Sequence, residues 1–346
     1  MKAIFLSAVL CVTAFEGAAA VPPPRAEKIP YRLEKHGHAR VDDYYWLKDR
    51  KNPEVIKYLE AENAYAAAAL AHTEKFQARL FDEMKARVKQ DDSTVPFRYG
   101  EYYYYKTYKA GGEYPVYARR RGSPDGKEEV LLDVNELAKG KPYCAVLFPA
   151  IRPDHAMIAY AMDTGGRRFF DVYFKDLRTG ETLKERLQKT AGNMTWAADN
   201  KTLFYVRQDP ETLRWERVLA HELGAAADRE IYFEADDTFE VSVAKSNTDK
   251  FIFLRSGSTL STEYRLLDAS KPAAAPRVFQ ARQPKLEYDI EDGGDKFYVL
   301  SNDGARNFKV SVCPSSATAR EHWAGLVPHR EDTLVEYMDV FEDWLV

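Results

Sequence analysis

The sequence contains none of the compact motifs that mark a self-contained catalyst. There is no G-x-S-x-G nucleophile elbow. The nearest runs, Gly122-Ser123-Pro124-Asp125-Gly126 and Ser256-Gly257-Ser258, have the wrong spacing. H-E-x-x-H, C-x-x-C, the P-loop and G-x-G-x-x-G are also absent, which argues against the zinc, redox and nucleotide-binding chemistries those spacings support. Cysteine is scarce: Cys11, Cys144 and Cys313 cannot build a disulfide framework in a chain of 346 residues. Cys144 and Cys313 are read as two separately buried thiols, with a single bridge as the alternative. Charge of one sign is lacking too. A net charge of -4 argues against a nucleic-acid partner, because phosphate binding needs a basic face.

No apolar run is long enough to span a bilayer. Ala3 to Phe15 is too short. With Lys2 before it and Ala18-Ala19-Ala20 after it, residues 1–20 read as a secretory signal peptide cut after Ala20. A lipoprotein leader using Cys11 fits poorly, since Leu10 is not the small residue expected before it. The expected location is therefore exported and periplasmic, with no membrane attachment after cleavage. Residues 21–30, with Pro22-Pro23-Pro24, read as a stiff linker.

Residues 31–92 are expected to form an N-terminal helical segment. Asn52 is a helix cap, Pro53 suits the first helical position, and Glu54 suits the positive end of the dipole. Val55, Leu59, Ala66 and Leu70 share a face. A break is expected near His72, with a second helix starting at Thr73. Phe76, Leu80, Met84 and Val88 then recur every four residues, an apolar stripe that something must cover.

From residue 93 to 346 the pattern changes to short strands rich in aromatics, which suit pleated, half-buried positions. A turn followed by an apolar strand recurs. Gly100-Glu101 leads into Tyr102-Tyr103-Tyr104-Tyr105, and Pro153-Asp154-His155 leads into Met157-Ile158-Ala159-Tyr160. Equivalent turns lie at 199, 249, 295 and 343, so successive intervals are 54, 45, 50, 46 and 48 residues. A period of about 40–50 residues with this content is the mark of β-propeller blades. The fold class expected is mainly β: an incomplete propeller of about five blades plus the start of a sixth, preceded by a helical segment.

Several polar groups are weighed and set aside. The pairs Asp42-Asp43, Asp91-Asp92 and Asp236-Asp237 read as turn or capping groups rather than acid/base dyads. Arg119-Arg120-Arg121 and Arg167-Arg168 read as exposed basic residues at strand ends. His36 and His38 read as solvated loop residues, and His221-Glu222 lacks a second histidine at metal-ligand spacing. No residue is assigned a catalytic, cofactor-binding or metal-binding role.

The run His36-Gly37-His38-Ala39-Arg40-Val41-Asp42-Asp43-Tyr44-Tyr45-Trp46-Leu47-Lys48-Asp49 resembles the opening motif of the prolyl oligopeptidase family of serine peptidases, HG-x-x-R-x-D-x-Y-x-W-L-x-D. Asn52-Pro53-Glu54-Val55, Tyr58 to Asn63, Met84 to Val88, Asp92 to Pro96 and Glu113 to Arg119 continue the likeness. Asp237 to Val241 and Ser261-Thr262-Glu263 resemble the oligopeptidase B branch. The resemblance implies a seven-bladed propeller over an α/β-hydrolase domain, against which the N-terminal helices would pack. It implies hydrolysis of short peptides through a Ser-Asp-His triad, after Lys or Arg in the oligopeptidase B branch and after Pro in the prolyl branch. The triad is expected beyond Val346, so this chain alone is expected to be inactive, with the missing hydrolase domain as its intramolecular partner. The rival expectation is a stand-alone periplasmic propeller that binds or scaffolds.

Overall fold

The computed structural model describes residues 22–341 and 343–346. The predicted signal peptide lies outside the described residues. The chain divides into two compact units between Lys89 and Gln90.

In the first unit, Tyr31–Lys35 and His38–Asp42 form an antiparallel hairpin. His36 and Gly37, both at positive φ, make its turn. These strands correct the expectation of a purely helical segment: each is only five residues long with just two apolar positions, and His38 is a strand residue, not a loop residue. Tyr31 stacks on Tyr45 with ring centroids 4.2 Å apart. Helix α1 (Pro53–Leu70) starts where expected: Asn52 Oδ1 accepts from the Glu54 amide at 3.0 Å. The break near His72 is a short 3-10 turn, Ala71–Thr73. It is fixed by Thr73 Oγ1, which donates 2.7 Å to the Leu70 carbonyl, one of the orphan acceptors at the end of α1. Helix α2 (Glu74–Ala86) follows, ending before Val88, the last residue of the expected stripe, and Phe76, Leu80 and Met84 on it are exposed.

The second unit holds five successive antiparallel sheets. The first blade comprises Phe97–Tyr99, Tyr102–Thr107, Val116–Arg121 and Glu128–Asp133. The third comprises Met194–Trp196, Thr202–Gln208, Trp215–Glu222 and Arg229–Phe233. The fourth comprises Glu240–Lys245, Phe251–Gly257, Thr262–Asp268 and Arg277–Gln280. The fifth comprises Tyr288–Asp292, Lys296–Ser301, Lys309–Pro314 and Ala324–Val327. The second, built on Met157–Asp163, Phe170–Asp176 and Thr182–Thr190, has a broken first strand: Ala145–Val146 and Ala150–Ile151 each pair with Met157–Asp163. Pro149 lies in the gap, where a residue without an N–H cannot serve the ladder. Past the fifth blade isolated bridges join Arg330 to Thr333 and Val340 to Leu345, the latter at the expected start of a sixth.

The first five predicted turns each join the first and second strands of a blade. The residue that reverses the chain takes a left-handed conformation: Gly100, His155, Asn200, Asp249 and Gly294. Gly, Asn, Asp and His are the residues that tolerate it, which is why the period was legible. Gly100 has a second reason. A Cβ there would lie 2.5 Å from His155 Nε2.

The core lies between blades rather than within one. Strand alternation sends Ile158, Tyr160 and Met162 towards the first blade and Met157, Ala159 and Ala161 towards the third. On the next blade, Leu203 and Tyr205 face back while Phe204 and Val206 face forward. Phe253, Phe297 and Val299 fill the seam between blades four and five. Both faces of the second strands are covered, so these read as continuous apolar runs. Cys144 lies in the first seam and Cys313 in the fourth; both are free thiols, and burial raises the pKa of each.

Candidate functional site

Residues from the first strands of the blades and the turns that follow them line two cavities. The smaller, about 230 Å³, is largely apolar, with Phe97, Phe148, Met194 and Trp196 around it and Lys245 and Asp249 at its edge. The Pro149 interruption places Phe148 here. Its ring lies 5.6 Å from Phe97 and 5.2 Å from Tyr117. Lys245 Nζ is 3.4 Å from Asp249 Oδ1. Burial lowers the lysine's pKa, and the aspartate partly offsets this.

The larger cavity, about 660 Å³, has a mixed lining. Phe97, Arg98, Asn247, Asp292, Asp339 and Phe341 are among its lining residues. Asp292 is buried, accepting from Thr248 Oγ1 and from the Gly294 amide at 2.9 Å. Beside it, burial pushes the Glu291 carboxyl up to about 7; the charges of Asp292 and Asp339 act in the same direction, against hydrogen bonds from the Asp292 and Asn247 amides. Its Oε2 is buried without a hydrogen-bond partner.

A carboxyl whose folded value lies above its ordinary 4.5 weakens the fold as pH rises from about 4.5 towards 7, and the full cost persists above that window. Glu291→Gln is therefore expected to stabilise the second unit above neutral pH by on the order of 1–2 kcal/mol, allowing for solvent screening, with the gain vanishing below the window. Urea unfolding at both ends of the window checks this; an equal effect at both would contradict it.

Neighbouring blades are also joined at polar seams. Arg119 corrects the expectation of an exposed basic run. It is buried, and it donates to both oxygens of Glu129, its direct cross-strand partner, at 2.8 and 3.0 Å. It also donates 2.6 Å to the His155 carbonyl of the next blade and lies over the Tyr102 ring. Arg121 is exposed and paired with Glu101, and Arg167 and Arg168 are exposed. Asp236 is a turn acceptor for Thr238, and Asp42 for the Tyr44 amide. His36 and His38 are exposed. His221 is buried between two carboxylates, a placement that its sequence neighbours did not signal.

Among the described residues, no Ser, Thr or Cys side chain is hydrogen-bonded to a histidine, the pairing that activates a nucleophile. Nor is any group of three His, Cys, Asp or Glu side chains gathered to hold a metal ion.

Five successive antiparallel sheets with cores between neighbours define a propeller module. The chain belongs to the prolyl oligopeptidase family, matching the description "Prolyl oligopeptidase, N-terminal beta-propeller domain" over residues 23–346. It is 40% identical to dipeptidyl aminopeptidase BI of Pseudoxanthomonas mexicana, over 97% of this chain and 49% of the relative. It is 34% identical to protease 2 of Moraxella lacunata, over 93% of this chain and 48% of the relative. Oligopeptidase B from Leishmania major superposes with a TM-score of 0.87 at 29% identity, covering 94% of this chain and 48% of that one. The chain thus spans about half the length of the relatives it matches.

Proposed function

We propose that this chain is the propeller half of an exported serine oligopeptidase that hydrolyses short peptides, cutting after Lys or Arg. A Ser-Asp-His triad on an α/β-hydrolase domain outside these 346 residues would do the chemistry. Serine would attack the peptide carbonyl, histidine would take its proton, aspartate would hold the histidine, and an acyl-enzyme would follow. The propeller's part would be access: cavities of about 230 and 660 Å³ are too small for a folded protein. The exposed stripe of Phe76, Leu80 and Met84 on α2 is the face the hydrolase domain would cover.

The observation that carries this reading is the coverage, 97% of this chain against 49% of a peptidase 40% identical to it. Export rests on Lys2, the apolar run and the small residues before Val21. The same relative's name favours a second specificity, removal of dipeptides from a free amino terminus. Amino-blocked and amino-free substrates separate the two.

The test is the reading frame after the codon for Val346. A continuing frame is expected to encode G-x-S-x-G, then the aspartate and the histidine in that order. A stop codon directly after Val346 in the intact gene would overturn the proposal.

A further inference from the structure

The seam between the second and third blades is closed at its outer side by a histidine facing two carboxylates. His221, in the third strand of the third blade, is 3% exposed. Its Nδ1 lies 2.6 Å from Asp228 Oδ1, and its Nε2 lies 3.0 Å from Glu185 Oε1. Glu185 belongs to the outer strand of the second blade, Thr182–Thr190. The ring stacks on Phe174 of that blade, with centroids 5.9 Å apart.

A neutral imidazole has one N–H, so it can donate to only one of two carboxylates. Its other nitrogen would then set a lone pair against a carboxylate oxygen. A protonated acid would also remove that conflict, but it would weaken the bonds that both acids already accept from other donors. Glu185 Oε1 accepts from the Gly224 amide at 2.9 Å, and Asp228 Oδ2 accepts from Tyr205 Oη at 2.6 Å. Arg207 Nη2 donates 3.0 Å to that same tyrosine oxygen. Glu185, Asp228, Tyr205 and, through it, Arg207 are the ionisable groups facing the ring from the second and third blades; Phe174 adds none.

We propose that His221 is a doubly protonated imidazolium that ties the second blade to the third, and that loss of its second proton releases the Glu185 side of the seam. The clamp is a charge-assisted pair of hydrogen bonds, stronger than neutral ones and available only to the cation. It therefore supports the seam only while both ring nitrogens carry a proton.

The experiment uses the 346-residue chain with nitrogen-15-labelled histidine. Near neutral pH, both His221 ring nitrogens are expected to show the protonated signature. Backbone amide protection at Leu187 and Gly224, corrected for intrinsic exchange, should fall by about tenfold when that ring loses its proton. In Glu185→Gln the side-chain amide can donate to an unprotonated Nε2, so the same titration should leave protection there unchanged. An unprotonated ring nitrogen near neutral pH would overturn the proposal. So would protection that falls equally in both proteins, or in neither.

Discussion

Arg282→Met is expected to destabilise the second unit by about 2–4 kcal/mol, because it leaves a buried carboxylate without its counter-charge. Arg282 follows the outer strand of the fourth blade, and its Nη2 donates 2.5 Å to Oε2 of Glu234, which follows the outer strand of the third. Burial alone would raise the glutamate. Instead the Arg282 guanidinium, Ser256 Oγ and Tyr232 Oη hold it down at about 2. Tyr232 Oη donates at 2.7 Å, and the Asp236 amide donates 3.1 Å to the other oxygen. Arg282 itself packs over the Phe239 ring, 4.0 Å away, so methionine keeps an apolar contact there while removing the charge and its hydrogen bonds to Glu234, Tyr232 and Ser256. The group's folded value lies below its ordinary 4.5, so its contribution is present above that pH and lost as pH falls towards 2. Urea unfolding of wild type and variant across that window measures both the loss and its pH dependence. Adding Glu234→Gln to the variant should recover part of the loss, since no charge is then stranded.

Trp196→Ala is expected to cost about 3–5 kcal/mol, the range for emptying a large aromatic site. Trp196 is 1% exposed, in the first strand of the third blade. Its ring meets Phe174 of the second blade edge-on at 5.8 Å. Its Nε1 donates 3.1 Å to the Ala150 carbonyl, in the strand interrupted by Pro149. The substitution therefore removes packing, empties part of an inter-blade core and orphans an acceptor in the neighbouring blade. Trp196→Phe should restore most of the packing but not the hydrogen bond, leaving a deficit of about 1–2 kcal/mol. Denaturant midpoints for the pair check the ordering; equal losses would show that the hydrogen bond, not the packing, dominates.

These two sites illustrate what the sequence could and could not reveal. The blade period was legible because reversing a hairpin needs a left-handed residue, and Gly100, Asn200, Asp249 and Gly294 are the types that supply it. The helix start at Asn52 and the break near His72 were legible for similar local reasons. Long-range pairing was not. Glu234 and Arg282 are 48 residues apart and meet only when two blades stack. Glu185 and His221 are 36 apart. Arg119 read as solvated because nothing beside it in sequence is acidic; its partner Glu129 arrives across the hairpin, ten positions on. The two cavities were equally hidden, since their walls take a few residues from the first strands and following turns of several blades.

The measurement that bears most directly on the central claim is a peptidase assay of this purified chain. Arg-linked and Pro-linked fluorogenic peptides, amino-blocked and amino-free, would be offered with and without a serine-directed inhibitor. A propeller half with no nucleophile paired to a histidine should give no turnover above buffer with any of them. Turnover abolished by the inhibitor would contradict the account, because it would place a working serine nucleophile within these residues.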